Sequence, residues 1–272
     1  MSNSSLVTYT KLSPNCTKPR NHVIDTITIH CFVGQVTAES GCNAKGFVKY
    51  NPITGSSCNY VVGYDGSVGL CVDEANRSWC SGGKDKLGRT IKVNGISGKD
   101  NDHRAITIEV ASETKHPYAV TDKAYKALIE LIADICKRNN IKQLLWKGNK
   151  SLIGKVDQQN MTVHRWFANK ACPGDYLYNK YGEIASAVNE RLGVKEPVKE
   201  TASFKPYKVQ VIAASLNIRK AAGTNAQKVG AITDKGVYTI VEEAKGNTKY
   251  PWGKLKSGAG WISLSPSYIK KV

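Results

Sequence analysis

The chain has 272 residues, of which 41% are hydrophobic and 22% charged, and 39 Lys and Arg against 22 Asp and Glu give it a formal net charge of +17. No uninterrupted apolar run approaches the roughly 18–20 residues that span a bilayer, so the sequence excludes a transmembrane protein and predicts no membrane insertion. The positive charge favours polyanionic partners. Because no arginine-rich arm or interleaved aromatic pattern accompanies it, we do not expect nucleic acid to be that partner.

The first residues and the cysteines bear on the cellular compartment. Residues 1–5 have neither a basic start nor an apolar stretch, so we expect no cleavable secretory signal. The eight cysteines include no CxxC pair, which excludes a structural zinc ribbon, and their spacing is not that of a small disulfide scaffold. We therefore expect most of them to be small buried hydrophobic residues.

Several segments in the first half of the chain have the alternating pattern of β-strands. The first ends at His30 and carries Thr28 and His30 on one face. Residues 59–64 and 67–72 flank an Asp-Gly pair, which is the strongest short hairpin signal. Residues 105–110 form another short alternating strand.

Helical patterns follow these strands. Residues 122–139 have an apolar stripe at helical spacing and begin after a Thr-Asp start signal. A second helix begins after the Pro-Gly pair at 173–174 and extends to residues 192–193, with Gly182 as the position where it could break. The sequence thus predicts an α/β domain, in which a mixed central sheet is flanked by helices.

The composition changes after the second helix. Residues 193–206 hold two prolines, alternating charges and little apolar content, which is typical of an exposed connector. We predict a first domain over residues 1–194, a linker over 195–204 and a second domain over 205–272. Short apolar runs between turn residues predict that the second domain is a small all-β barrel; they are residues 208–212, 216–218, 237–241, 252–255 and 260–264. Residues 201–272 are also the more basic part, with 12 Lys and Arg against 3 Asp and Glu, a net charge of +9.

Two of the five histidines stand where they could bind a metal. His30 is the last residue of a predicted strand, so its side chain can project from the strand end into a cleft. His164 lies eight residues before Cys172. The Pro-Gly pair after Cys172 predicts a loop-to-helix junction, and a helix N-terminus favours the thiolate. Imidazole and thiolate are both zinc ligands, and three protein ligands with one open position are typical of catalytic zinc.

These residues carry a resemblance to a known family. The strand end at His30, the segment 59–68, the strand 106–109 and the cluster 164–174 occur in the order found in zinc-dependent N-acetylmuramoyl-L-alanine amidases. That family is related to peptidoglycan recognition proteins and phage lysozyme-type amidases. The resemblance covers residues 20–192, and the sequence looks most like endolysins of phage or prophage type.

The last segment resembles bacterial SH3-like wall-binding domains through residues 216–219 and two strands that contain tryptophan. The resemblance as a whole implies a peptidoglycan hydrolase that cleaves the amide between N-acetylmuramic acid and L-alanine of the stem peptide. Its partners would be peptidoglycan and the associated anionic wall polymers. Without a signal peptide, it would be made in the bacterial cytoplasm and would act on the cell wall after release.

The family's roles pass to matching positions of this chain. His30, His164 and Cys172 would be the ligands of one Zn²⁺. Glu109 matches an acid on the central strand that positions or deprotonates the metal-bound water in several relatives. Lys170 matches a lysine two residues before the third ligand, which is expected to stabilise the oxyanion.

One position departs from the family pattern. Some relatives place a catalytic tyrosine at the start of the second strand, where this chain has Cys58, and Tyr60 lies two residues further on the same strand face. Because of this departure, we expect Glu109, and not a tyrosine, to act as the general base. Asn59 and Trp79 are candidate contacts to the glycan or the peptide.

Three other interpretations stay open at this point. The first is a non-catalytic peptidoglycan-binding protein on the same scaffold, although such receptors typically lose the third zinc ligand, which is Cys172 here. The second is an endopeptidase that cuts within the stem peptide. The third, a basic DNA-binding module, would bind duplex DNA in a salt-dependent way and would need no metal.

Overall fold

The computed structural model describes residues 2–194 and 204–272 of the chain. The chain divides into two compact units, residues 1–196 and 197–272. Residues 195–203 of the predicted linker lie outside the described part, so the linker stays a prediction. No helix in the two described ranges is both long and apolar enough to cross a membrane.

The first unit alternates short strands and helices. Its strands are β1 Tyr9–Thr10, β2 Cys16–Thr17, β3 Thr26–Cys31, β4 Tyr60–Val62, β5 Val68–Leu70, β6 Arg77–Ser78, β7 Lys92–Val93, β8 Ile96–Ser97, β9 Ala105–Val110 and β10 Met161–Thr162. Its helices are α1 Ala38–Cys42, α2 Lys45–Val48, α3 Gly98–Arg104, α4 Asp122–Arg138 and α5 Gly174–Arg191, with 3-10 turns at Lys150–Leu152 and His164–Trp166.

A six-stranded sheet with the order β1-β5-β4-β9-β3-β10 forms the centre of this unit. Neighbouring strands are parallel except for β4 and β5, which form the predicted hairpin with Val62 opposite Val68. Gly66 in the hairpin turn has a φ of +88°, a conformation that glycine adopts without steric cost. The predicted mixed sheet flanked by helices is confirmed.

The two faces of the sheet pack against different clusters. Ile29 of β3 and Ile108 of β9 pack in the main core, which also contains the buried residues of α4 and α5. Val61 of β4 packs instead in a second cluster, with Cys42 and its neighbours. Because successive side chains in a strand point to opposite faces, His30 and Glu109 lie on the face turned away from α4 and α5.

Both long helices agree with the sequence pattern. The Thr121 hydroxyl caps α4 by accepting a hydrogen bond from the backbone N–H of Ala124 at 3.1 Å. Each large apolar side chain that α4 buries contributes about 1.5–3 kcal/mol to folding; those side chains are Leu128, Ile129, Leu131, Ile132 and Ile135. Helix α5 runs from Gly174 to Arg191 without a break at Gly182.

The second unit is a single antiparallel sheet with the order β13-β12-β16-β15-β14-β11-β17, consistent with an SH3-like β domain. Its strands are β11 Tyr207–Val211, β12 Leu216–Arg219, β13 Lys228–Ile232, β14 Val237–Ala244, β15 Trp252–Leu255, β16 Trp261–Ser263 and β17 Ile269–Lys271. Its core is formed by Val209, Val211, Leu216, Ile232, Ile240, Leu255, Ile262, Leu264 and Ile269.

Candidate metal centre and active site

Three separate segments bring His30, His164 and Cys172 together. Strand β10 pairs with β3 so that Thr162 lies opposite Thr28, and the 3-10 turn that follows β10 begins at His164. Cys172 stands just before α5. One ligand atom from each of the three residues lies within 4.8 Å of the other two. The Nδ1 atom of His30 is 3.3 Å from Sγ of Cys172, and the two imidazole rings are 5.1 Å apart.

The loop at residues 81–82 orients both imidazoles. Nε2 of His30 lies 3.4 Å from Oγ of Ser81, and Nε2 of His164 lies 3.3 Å from the carbonyl oxygen of Gly82. Asp102 holds this loop, because its Oδ2 accepts hydrogen bonds from the backbone N–H groups of Cys80 and Ser81 at 2.9 and 2.8 Å. Such contacts fix the ring orientation and leave Nδ1 of each histidine for a metal.

The electrostatics of the two histidines fit a divalent cation. Burial lowers the pKa of His30 well below its ordinary value, with His164 as a second cause, and burial also lowers the pKa of His164. Both rings are therefore neutral and carry a free lone pair at neutral pH. Two imidazole nitrogens and one cysteine sulfur at these separations form a zinc-type donor set that needs one further ligand.

The expectation that a helix N-terminus lowers the pKa of Cys172 is wrong for the protein alone. Helix α5 begins only at Gly174, two residues further on. A hydrogen bond with Cys31 and burial instead raise the pKa of the Cys172 thiol well above its ordinary value. A bound cation would supply the charge that this thiol needs in order to lose its proton.

Glu109 lies beside the three residues on the same face of the sheet. It pairs directly with His30 across the two parallel strands β9 and β3. Its Oε1 lies 3.8 Å from Sγ of Cys80, and its buried Oε2 has no hydrogen-bond partner in the described residues. Burial raises the pKa of Glu109 to about 8, with the neighbouring Cys31 as a second cause. A carboxyl group whose pKa lies near neutrality can both accept and donate a proton.

Two cavities meet at His164 and Lys170. The smaller one, of about 260 Å³, is lined by both residues together with Glu109 and Cys172. The larger one, of about 600 Å³, is lined by the same two residues and by Trp79. Lys170 is exposed, so its ammonium group can move between the two spaces.

Two of the remaining predicted residues do not face these cavities. Asn59 is fully buried, and its side chain donates to the carbonyl oxygen of Val72 at 3.1 Å and accepts from the N–H of Thr107 at 3.2 Å. Its position does not support the prediction that it contacts substrate. Tyr60 packs in the core on the opposite face of the sheet, where its hydroxyl donates to Glu74 at 2.6 Å.

Sequence reasoning missed the groups that surround the site. Cys31 contacts the third predicted ligand, and Cys80 contacts Glu109. His30, Cys80 and Glu109 form a second group whose ligand atoms lie within 4.8 Å of one another. The Ser-x-x-Asp start of α3 was a usable signal for the helix that carries Asp102. No signal in the sequence pointed to Cys80, which follows a two-residue strand.

Several solved structures resemble this chain. A selenomethionine derivative of AmpD is 16% identical, covers 68% of this chain and 99% of its own, and has a TM-score of 0.47. A mutant endolysin from Bacillus subtilis is 18% identical, with coverages of 67% and 99% and a TM-score of 0.43. The N-acetylmuramoyl-L-alanine amidase LysC from Clostridium intestinale URNW is 16% identical, with coverages of 66% and 97% and a TM-score of 0.38.

The family assignment rests on a different comparison. No curated protein sequence matches the chain. The sequence model of the Amidase_2 family, described as N-acetylmuramoyl-L-alanine amidase, matches residues 20–175, which is more than half of the chain. That range contains every residue of the candidate site, from His30 to Cys172. The chain therefore belongs to the N-acetylmuramoyl-L-alanine amidase family and is an enzyme of that activity.

Proposed function

We propose that the chain is a zinc-dependent peptidoglycan hydrolase of the endolysin type. It cleaves the amide between N-acetylmuramic acid and L-alanine of the stem peptide, and His30, His164 and Cys172 hold one Zn²⁺. The observation that supports this most directly is the approach of one ligand atom from each of these residues to within 4.8 Å of the others. When bound, zinc would polarise the amide carbonyl and lower the pKa of a water molecule.

Glu109 is proposed to move the protons of the reaction. Its carboxylate takes a proton from the attacking water and returns it to the leaving amine of L-alanine. To do both, Glu109 needs a pKa between those of a free carboxyl group and an amine. The burial of Glu109 and its unpartnered Oε2 support this role. A metal cation nearby would favour the ionised form and so prepare Glu109 to act as a base.

Lys170 is proposed to stabilise the negative charge that develops on the carbonyl oxygen. Its ammonium group lines the same cavity as Glu109 and Cys172, and a cation at that place is worth more in the transition state than in the ground state. Trp79 is proposed as a contact to the glycan or the peptide, because it lines the larger cavity beside His164.

The second unit is proposed to hold the enzyme on the wall, with domains at residues 1–194 and 205–272 as the sequence predicts. Residues 201–272 carry a net charge of +9, which suits anionic wall polymers. Tethering of this kind raises the local concentration of substrate around the catalytic unit. The proposed site of action is the cell wall, reached after release from the cytoplasm.

A digest of purified walls tests the proposal against its alternatives. Mass analysis should find a new N-terminal L-alanine on the stem peptide and a free lactyl carboxylate on the sugar, and a chelator should abolish both. Cuts within the stem peptide would indicate an endopeptidase, and no release of products at full zinc loading would indicate a binding protein. A Cys172→Ser variant should release neither product. Cys16→Ser is its matched control, because Cys16 lies on β2 and is not among the residues that line either cavity.

A further inference from the structure

The second unit contains a cavity of about 470 Å³ that has no part in the proposed amide hydrolysis. Tyr250 and Tyr268 line it and keep 38% and 43% of their surface exposed. An exposed tyrosine ring offers a large rigid contact area at a small cost in conformational entropy. The apolar C–H face of a sugar ring is a complementary surface for such a ring.

Two cations line the same cavity. Nη1 of Arg219 donates to the carbonyl oxygen of Ala226 at 2.6 Å, which fixes the guanidinium. Its other N–H groups have no hydrogen-bond partner among residues 2–194 and 204–272. Lys249 lies 5.6 Å above the ring of Tyr250. The acidic residues of the described range 204–272 do not line the cavity and have other partners; they are Asp234 with Tyr238, Glu242 with Lys254, and Glu243 with Tyr207.

Hydrogen bonds hold the walls of the cavity in place. Oδ1 of Asn247 accepts from the backbone N–H of Thr224 at 2.8 Å, which ties the loop after β12 to the loop after β14. Nε1 of Trp252, at the base, donates to the hydroxyl of Thr248 at 3.0 Å. A site that is already ordered loses little conformational entropy when a ligand binds.

We propose that this cavity binds an anionic saccharide chain, with a sugar ring against Tyr250 and Tyr268 and a negatively charged group between Arg219 and Lys249. The inference rests on the proposed function, because a bacterial wall offers this chemistry in two forms. One is the glycan strand whose lactyl groups have become carboxylates when the amides were hydrolysed. The other is a glycopolymer that carries phosphate.

Titration calorimetry on the full chain tests the proposal with two soluble probes, a peptide-free glycan oligosaccharide and a phosphodiester glycopolymer fragment. We expect at least one probe to bind, and the probe that binds identifies the source of the anion. Tyr250→Ala and Arg219→Gln should each weaken that binding by about tenfold, as for central residues of a binding site. Binding of neither probe to the unmodified chain would overturn the proposal.

Lys256→Gln is the matched control, since Lys256 is exposed, carries the same charge and lines a different cavity with Val237 and Tyr238. Its affinity for the probe should stay within about twofold of that of the unmodified chain. A loss of affinity equal to that of Arg219→Gln would mean that only the net charge of the chain matters. Hydrolysis of a small soluble muropeptide should be unchanged in all variants. If the unmodified chain binds a saccharide probe but does not hydrolyse the muropeptide amide, the proposed function is overturned and this inference stands.

Discussion

Sγ of Cys172 lies 3.3 Å from Nδ1 of His30, although 142 residues separate the two in the chain. The contact depends on two features of the fold: β10 pairs in parallel with β3, and α5 begins at Gly174, two residues after the cysteine. At the end of β3, the contact places a cysteine sulfur beside a neutral imidazole.

Glu109→Gln should keep the metal and lose turnover. The amide has nearly the shape of the carboxyl group but cannot accept the proton, so kcat should fall by at least ~10²-fold while zinc content stays at one ion per chain. Glu113→Gln, an exposed carboxylate after the same strand, is the control and should leave kcat unchanged. Kinetics on a soluble muropeptide with parallel metal analysis measures both, and full activity in the Glu109 variant would exclude it as the base.

Lys170→Met should lower kcat by about 10²–10³-fold, the usual cost of removing one donor to a developing oxyanion, with a smaller change in KM. Lys126→Met on the exposed face of α4 is the matched control. Steady-state kinetics on the same substrate separates the two parameters. A rise in KM alone would mean that Lys170 only binds the substrate.

Asp102 should make the unmodified protein less stable as pH rises from about 4 to 6. Burial raises its pKa from 3.8 to about 6, and Oδ1 has no hydrogen-bond partner in the described residues. The folded state therefore binds the proton more tightly than the unfolded state, and this advantage is lost as pH rises through the folded pKa. The shift corresponds to about 3 kcal/mol.

Asp102→Asn should remove that pH dependence. Its amide oxygen can still accept from the 80–81 backbone, so the variant should match the unmodified chain near pH 4 and exceed its free energy of unfolding above pH 6. Urea titrations across this range measure the difference between the two proteins. A constant difference at all pH values would show that Asp102 does not titrate there.

Arg138→Leu should destabilise the first unit by about 3–5 kcal/mol, because it removes the residue that forms the ion pair with the buried Glu74 side chain. Nη2 of Arg138 lies 2.7 Å from Oε1 of Glu74, whose side chain is 1% exposed. Adding Glu74→Gln should recover much of the loss, since neither member of the pair then carries a charge. Denaturant unfolding of the unmodified chain and of the single and double variants measures these differences. Equal free energies of unfolding for Arg138→Leu and the unmodified chain would contradict the prediction.

The sequence predicted the strands that carry His30 and Glu109 because those strands combine clear alternation with an apolar core face. It also predicted α4 and α5, although Gly182 does not interrupt α5, which packs by its apolar stripe. In the second unit, β13 and β17 were not predicted, because each buries only a single isoleucine of its own, Ile232 or Ile269. Short strands of this kind depend on their neighbours in the sheet and not on local pattern.

The environment of the site was harder to predict than its residues. Asn59 occupies a position that looks like a surface contact in the sequence, but its amide satisfies strand backbone groups inside the protein. The pKa of Cys172 is raised chiefly by a hydrogen bond with Cys31. Cys31 ends β3 next to His30, and nothing in the sequence there indicates that contact. Such effects depend on packing between distant segments, which spacing along one chain does not encode.

X-ray absorption at the zinc edge shows whether His30, His164 and Cys172 hold a zinc ion. We expect one zinc ion per chain with one sulfur at about 2.3 Å and nitrogen ligands at about 2.0–2.1 Å. In Cys172→Ser the sulfur scatterer should disappear together with wall hydrolysis, whereas Cys16→Ser should keep both. A zinc ion that retains its sulfur ligand and its activity after Cys172→Ser would exclude Cys172 as a zinc ligand.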